Sequence, residues 1–414
     1  PRRRRPRCTA RPAGAGRASP PPSATAGCYA LAATATPLLA LVVAYLRVTQ
    51  FDTSISFAFA GAALAAVFAF AAGRFQRSEV AGLAATRIAT GAFAAAAIAA
   101  ICFGMVAHLE RGYLTIALAL TALGTAYVAA SRDIPLLRHV VTVLALVVLG
   151  RLAWDPRIMG ADVGRWPIVN WLLAGYGIPA AAFWGAARLL ETKGTTIAAR
   201  IADAVAILLA GLLCFFEIHH ALNGGDALAP TTGHVEQGLL ALVGLGFSYS
   251  LMRLDLGRAN PVFRYGSIAF GILSALLIAF GLGVAENPLF SRARIVGPAV
   301  ASSLAAAYLL PGLAATLLAR ASRPHRPVWF VTGLAVLAAL LLFGYVTLEV
   351  RHVFQGEVIG WHRRTSAPEQ WAYSALWLLL GLVFLAYGIW RTSLEARLAS
   401  AALRTVASCG TGMP

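Results

Sequence analysis

Apolar runs of about twenty residues recur along almost the whole chain, and they constrain its fold more than any other feature. A membrane-crossing helix rises 1.5 Å per residue and needs ~20 mostly apolar residues to cover ~30 Å of hydrocarbon. On that rule spans fall near 30–46, 55–73, 86–107, 113–130, 136–153, 168–188, 197–217, 235–252, 264–284, 295–319, 328–348 and 371–390. A thirteenth starts around Leu398 and stops after Val406. The runs are long, rich in Ala and Leu, and do not alternate, which excludes the period-two pattern of barrel strands. The expected fold is all-α: a polytopic integral membrane helix bundle of about 12–13 transmembrane spans, with the lipid bilayer as its partner.

Composition agrees. Hydrophobic residues make up 59% of the chain and charged residues 12%, against roughly 25% charged in an average soluble domain. So much apolar surface has no place to hide in water. The formal charge of +17 would suit a nucleic-acid partner, but its distribution argues against one. Seven arginines lie in the first 17 residues, and most others flank the apolar runs, as charges flank membrane spans. Lys193 is the one lysine among 34 basic residues, which with the abundant Ala and Gly suggests G+C-rich coding. Cys8, Cys28, Cys102, Cys214 and Cys409 form no C-x-x-C pair, so neither a zinc site nor a disulfide framework is implied.

Loop charges set an orientation. With a cytoplasmic N-terminus, the inside loops hold Arg74 and Arg77; Arg132 and Arg138; Arg188, Lys193 and Arg200; Arg253, Arg258 and Arg264; Arg320, Arg323 and Arg326; and Arg391 and Arg397. The stretch from Glu217 to Glu236 has no basic residue, although the outside loops 151–165, 292–294 and 351–364 do carry arginines. Residues 1–27 read either as a disordered basic arm or as out-of-frame sequence, and 407–414 as a disordered tail.

Rare residues reveal a repeat. Tyr176, Pro179 and Arg188 recur as Tyr308, Pro311 and Arg320; Glu217, His220 and Gly224 recur as Glu349, His352 and Gly356. Every pair is 132 residues apart, and Glu236-Gln237 returns as Glu369-Gln370 at 133. The offset spans four helices. Four is even, so the copies should lie the same way in the membrane, as a parallel repeat. The helices then group as 28–160, 161–294 (first copy) and 295–406 (second copy, truncated), with a weaker earlier echo around Pro37, Arg87 and Glu110.

Five segments carry a resemblance: RLAWDPRI from Arg151, NWLLAGYGIPAAAFWGAARLL (170–190), FFEIHHALNGGD (215–226), LEVRHVFQG (348–356) and PEQWAYSALWLLLG (368–381). Over roughly residues 35–400 the chain resembles the bacterial "predicted membrane protein" family, domain of unknown function 2339. The resemblance implies a multi-span protein of the bacterial inner membrane and no named chemistry. The family pattern continues through another C-terminal span with Lys and Asp, whereas here the sequence runs RTVASCGTGMP, which points to truncation.

The candidate chemistry is confined to the repeated residues. Glu217/His220 and Glu349/His352 are each three apart, so each pair shares one face of a helix end. Glu236 and Glu369 follow across the next loop. Two E-x-x-H pairs with two further carboxylates match the ligand inventory of a bundle di-metal site, and metal is therefore expected, if anywhere, on Glu217, His220, Glu236, Glu349, His352 and Glu369. The plainer alternative is polar helix ends at the interface, with the Glu residues favoured by the dipole of the next helix. Asp203 is expected to pair with Arg200. Pro179 and Pro311 fall inside spans and should kink or break them. Phosphate loops, G-x-S-x-G elbows and H-E-x-x-H motifs do not occur, and no catalytic residue or cofactor is named by the sequence. Two functional classes stand: a transport-like or structural envelope protein handling a neutral or lipidic substrate, or a membrane enzyme with an exoplasmic Glu/His site.

Overall fold

The computed structural model describes residues 22–50, 52–77, 84–109, 111–154, 163–164, 166–192, 194, 196–227, 229 and 232–390. The expectations for residues 1–21, Glu110, Lys193, the thirteenth span and the tail lie outside these. Each of the twelve spans expected before residue 391 contains a helix, although 168–170 and 295–302 are non-helical, and no strand occurs among the described residues. The helices are α1 (Pro22–Thr49), α2 (Ile55–Arg77), α3 (Ala84–His108), α4 (Arg111–Arg132), α5 (Pro135–Trp154), α6 (Ile178–Glu191), α7 (Ile197–Leu222), α8 (His234–Gly257), α9 (Pro261–Leu276), the short α10 (Pro288–Ser291), α11 (Leu310–Ser322), α12 (Val328–Gln355) and α13 (Ala367–Trp390). Residues 22–27, expected in the basic arm, form the first turns of α1. Among the described residues ten helices are long and apolar enough to cross a membrane. Large apolar side chains such as Leu39, Phe59, Phe70, Leu317 and Leu340 are exposed on them, as a bilayer-facing surface requires.

The chain divides into two compact units, residues up to Arg151 with Gly185–Ala198, and Leu152–Trp184 with Ala199 onward. In the first, α1 and α2 each pack along α3. A Cβ on Gly61 would lie 2.9 Å from the Ala100 carbonyl oxygen, so α2 and α3 touch backbone to backbone there. Small residues permit such approaches where lipid tails supply no hydrophobic drive. Ala65, Phe68, Ala96, Ala97 and Ala100 form the core above that crossing.

The second unit is organised around α8, which packs on α9 and α11. Its Gly244 faces Ser274 of α9 so closely that a Cβ would overlap the hydroxyl, and Ser248 donates to the Ser267 carbonyl at 2.6 Å. Three π-helical segments interrupt the α register: Leu173–Gly177, Leu277–Ala285 and Ala305–Leu309. Two of them end just before Pro179 and Pro311. A proline has no N–H for the carbonyl four residues back, and its ring crowds that carbonyl. Widening the preceding turn relieves both conflicts, and the Leu310 N–H bonds to Ala305 O, five residues back. The prolines thus break the α register through a π turn. Both π turns start five residues before an α segment, and both occur at the same positions 132 residues apart.

Candidate functional site

The polar residues singled out by the repeat lie at the ends of α7 and α12 and the starts of α8 and α13. At the end of α7, Glu217 Oε2 accepts from the backbone N–H of Ile168 at 3.2 Å and from Asn170 Nδ2 at 2.9 Å. The Asn170 side-chain oxygen in turn accepts from Leu172 N, opening the next helix. One turn on, His220 Nε2 lies 2.7 Å from Gly164 O. A carbonyl only accepts, so Nε2 carries the proton, and Nδ1 is left as a buried acceptor without a hydrogen bond, as is Glu217 Oε1.

The second copy repeats these bonds at an offset of 132, with the glycine carbonyl displaced to 133. Val300 N donates to Glu349 Oε1, and Ser302 Oγ donates to Glu349 Oε2 at 2.9 Å while accepting from Leu304 N. His352 Nε2 lies 3.2 Å from Gly297 O, and its Nδ1 3.0 Å from Gly356 O. Ile168 and Val300 both take left-handed backbone angles, φ 70° and 72°. A β-branched residue there is strained by of order 1–3 kcal/mol and is found where surroundings over-determine it. Here the carboxylate that receives the strained N–H supplies that constraint.

The side chain between each Glu and His points to the other loop. His219 Nδ1 lies 2.7 Å from Glu236 Oε1, and its Nε2 lies 3.0 Å from Ala229 O. Asn223 donates to the second Glu236 oxygen at 3.3 Å. In the second copy Arg351 takes this place. Its Nη1 donates to Glu369 Oε1 at 3.1 Å, and its remaining nitrogens donate to the carbonyls of Ile359, Gly360 and Arg363. Gln355 and Tyr373 complete the ring around Glu369, which also receives Ser366 N and donates its own N–H to Ser366 Oγ. That reciprocal pair is a capping box, readable in the sequence as S-x-x-E before an apolar run.

The six expected metal ligands are therefore placed as follows. Glu217 and His220 engage one loop, residues 164–170, and Glu349 and His352 engage residues 297–302. Glu236 and Glu369 meet His219 and Arg351 rather than His220 and His352. Among the described residues no three His, Cys, Asp or Glu side chains come together as a metal site. Sequence reasoning missed His219, Arg351, Asn223 and Gln355, although 219/351 and 223/355 also differ by 132.

A second polar cluster joins the other ends of these helices. Asp255, at the end of α8, is paired with buried Arg326 at 2.9 Å and with Arg264 at 3.4 Å. Asn260 caps α9 through Val262 N and donates to buried Asp203 at 2.9 Å. The structure thus gives Asp203 an asparagine partner where Arg200, an exposed residue, was expected.

The same unit contains a cavity of about 400 Å³. Leu282 lines it from the π segment after α9, Asn287 from the cap of α10, Tyr308 from the π turn before Pro311, and Leu341, Gly344 and Thr347 from α12. Tyr308 donates to Leu282 O at 3.0 Å, closing one wall.

Residues 8–408 match the family described as Predicted membrane protein (DUF2339). The chain belongs to that family. No curated protein and no solved structure matches it. As a DUF2339 protein it is a multi-pass membrane protein, in accord with its ten long apolar helices. Because the family description names no chemistry, the roles of the DUF2339 chain's polar clusters rest on their geometry.

Proposed function

We propose that this DUF2339 protein is transport-like and takes a lipidic substrate into its second unit. The observation that carries the reading is the apolar cavity between two π-widened spans. Widened or broken helices line substrate sites in transporters, and π turns favour functional positions. A cavity lined by Leu282, Leu341 and Gly344 at the depth of candidate spans is reached from hydrocarbon, so an acyl or isoprenoid chain suits it. The test is photo-crosslinking of the reconstituted protein with a phospholipid bearing a diazirine on its acyl chain. Label should concentrate on 277–289 and 337–348 and disappear in Gly344→Leu, whose side chain fills the cavity. Label spread evenly over lipid-facing helices and indifferent to that substitution would overturn the reading.

The Glu and His residues are read as anchors that pin the loops onto the bundle. The rival reading, a membrane enzyme with a Glu/His metal site, draws on one feature: Glu217 Oε1 and His220 Nδ1 are buried acceptors without hydrogen bonds. Elemental analysis of the purified protein separates the two. Stoichiometric zinc that vanishes in His220→Ala would favour the enzyme; its absence from protein purified without chelators favours anchoring.

The hydrogen bonds recurring at offsets of 132 and 133 support reading 161–294 and 295–406 as duplicates of one four-helix unit, lying the same way in a bacterial inner membrane. The arginine bias supports a cytoplasmic N-terminus with the 217–236 and 349–369 loops outside. Cysteines introduced at Asp226 and Glu357 should react with an impermeant maleimide on intact cells. Reaction only after permeabilisation would reverse the orientation.

A further inference from the structure

The first unit holds a separate cavity of about 360 Å³, independent of the one on which the transport reading stands. It lies where α1 and α2 part: both pack on α3 but barely touch one another. Tyr29 and Ala33 of α1, Phe75 of α2, and Thr86, Ala89 and Phe93 of α3 line it. The Phe75 and Phe93 rings stack with centroids 5.4 Å apart and form one wall. The lining is almost wholly apolar, and arginines neighbour its lining residues in sequence, at the ends of the same helices. Phe75 is flanked by Arg74 and Arg77, the last residues of α2, and Thr86 adjoins Arg87 near the start of α3. All three arginines are exposed. The one acidic residue among the described residues from 22 to 108 is Asp52, in the loop joining the far ends of α1 and α2; Glu79 lies outside the described residues.

We propose that this cavity binds an anionic phospholipid, its acyl chain against the Phe75–Phe93 wall and its phosphate among Arg74, Arg77 and Arg87. Three features converge on a lipid. The cavity opens among candidate spans, so hydrocarbon chains are what surround it. Its rim lies at the helix ends, where headgroups sit. Those helix ends carry positive charge that an anionic headgroup complements, and basic pockets between spans recognise such headgroups. A free phosphate would use the arginines but leave the apolar cavity without a role. The Arg74 guanidinium lies 5.9 Å from the Phe70 ring, a cation–π contact at the same end of α2.

The test compares lipid retention by native mass spectrometry after reconstitution in equal phosphatidylglycerol and phosphatidylethanolamine. The full chain should retain phosphatidylglycerol in preference. Ala33→Leu with Ala89→Leu, which fills the cavity, should lose the retained lipid. Arg74→Ala, Arg77→Ala and Arg87→Ala leave the apolar wall intact and should each cut the preference, by roughly fivefold per arginine at ~1 kcal/mol. If the wild type retains no more phosphatidylglycerol than the filled variant, or the triple arginine variant keeps the full preference, the site does not exist. Should the filled variant fail to fold, the arginine series decides alone. Retention of inorganic phosphate in place of lipid also refutes the proposal.

Discussion

The loop clusters at the ends of α7 and α12 are built on one plan and closed with different chemistry. In both, a glutamate holds the N–H of a left-handed β-branched residue, and a histidine one turn later holds a glycine carbonyl. In both, the residue between them turns to the carboxylate that starts the following helix. Among the described residues the first copy closes that contact with His219 and Asn223 and reaches the loop carbonyl of Ala229. The second closes it with Arg351, which reaches three carbonyls, and adds Gln355, Tyr373 and a capping box. A guanidinium keeps its charge and offers five donors in a fixed plane; an imidazole offers at most two. The comparison teaches that anchoring the loop by the Glu/His face is common to both copies, whereas clamping the following helix is graded. The second clamp is the tighter.

Breaking the tighter clamp should have the largest effect. Arg351→Ala leaves Glu369, 1% exposed at its side chain, without its cation and frees the carbonyls of Ile359, Gly360 and Arg363. Removing one partner of a buried pair costs ~3–5 kcal/mol. Thermal unfolding in detergent should show that loss, and a change under ~1 kcal/mol would mean the clamp does not matter to the fold.

The shared plan itself is tested next. Glu217→Gln and Glu349→Gln keep the shape but weaken charge-assisted bonds to Ile168 N and Val300 N, at ~1.5–3 kcal/mol each. The two losses should agree within ~1 kcal/mol. A large loss in one copy with none in the other would show that the anchors are not equivalent.

Exchanging the clamps sharpens the contrast. Arg351→His should lose ~1–2 kcal/mol because imidazole cannot replace four guanidinium bonds. His219→Arg should be neutral or slightly stabilising, since Glu236 and a loop carbonyl already face that position. A loss in both directions would show that each loop is tailored to its own side chain.

Smallest is the cap. Ser366→Ala removes one half of the capping box at a cost of ~1 kcal/mol. The first copy has Gly233 there with no side-chain cap, so Gly233→Ala removes no side-chain bond and should cost less than Ser366→Ala. Circular dichroism melts of the two variants give the comparison directly.

Much of this architecture was legible in residue order because it depends on local properties. Whether a run can cross a bilayer is set by its length and apolarity, so twelve spans could be placed before any tertiary contact was known. The spacing of three between Glu217 and His220 put both on one helix face, and both do meet the same loop. The offset of 132 between rare residues marked the positions where the hydrogen bonds recur. What faces each side chain was decided by the tertiary structure alone. Glu236 lies beside His219 because two residues beyond Glu217 turn a side chain about 200° around the helix, toward the other loop. The π turns before Pro179 and Pro311 needed the packed neighbours that compensate a widened register; Gly238 of α8 touches the second of them at Ala307, where a Cβ would lie 2.4 Å from its Cα. The strained backbone at Ile168 and Val300 and both cavities have no local signal at all. They arise where elements distant in sequence fail to fill space, or bring an acceptor to a donor, and only the folded chain fixes which do.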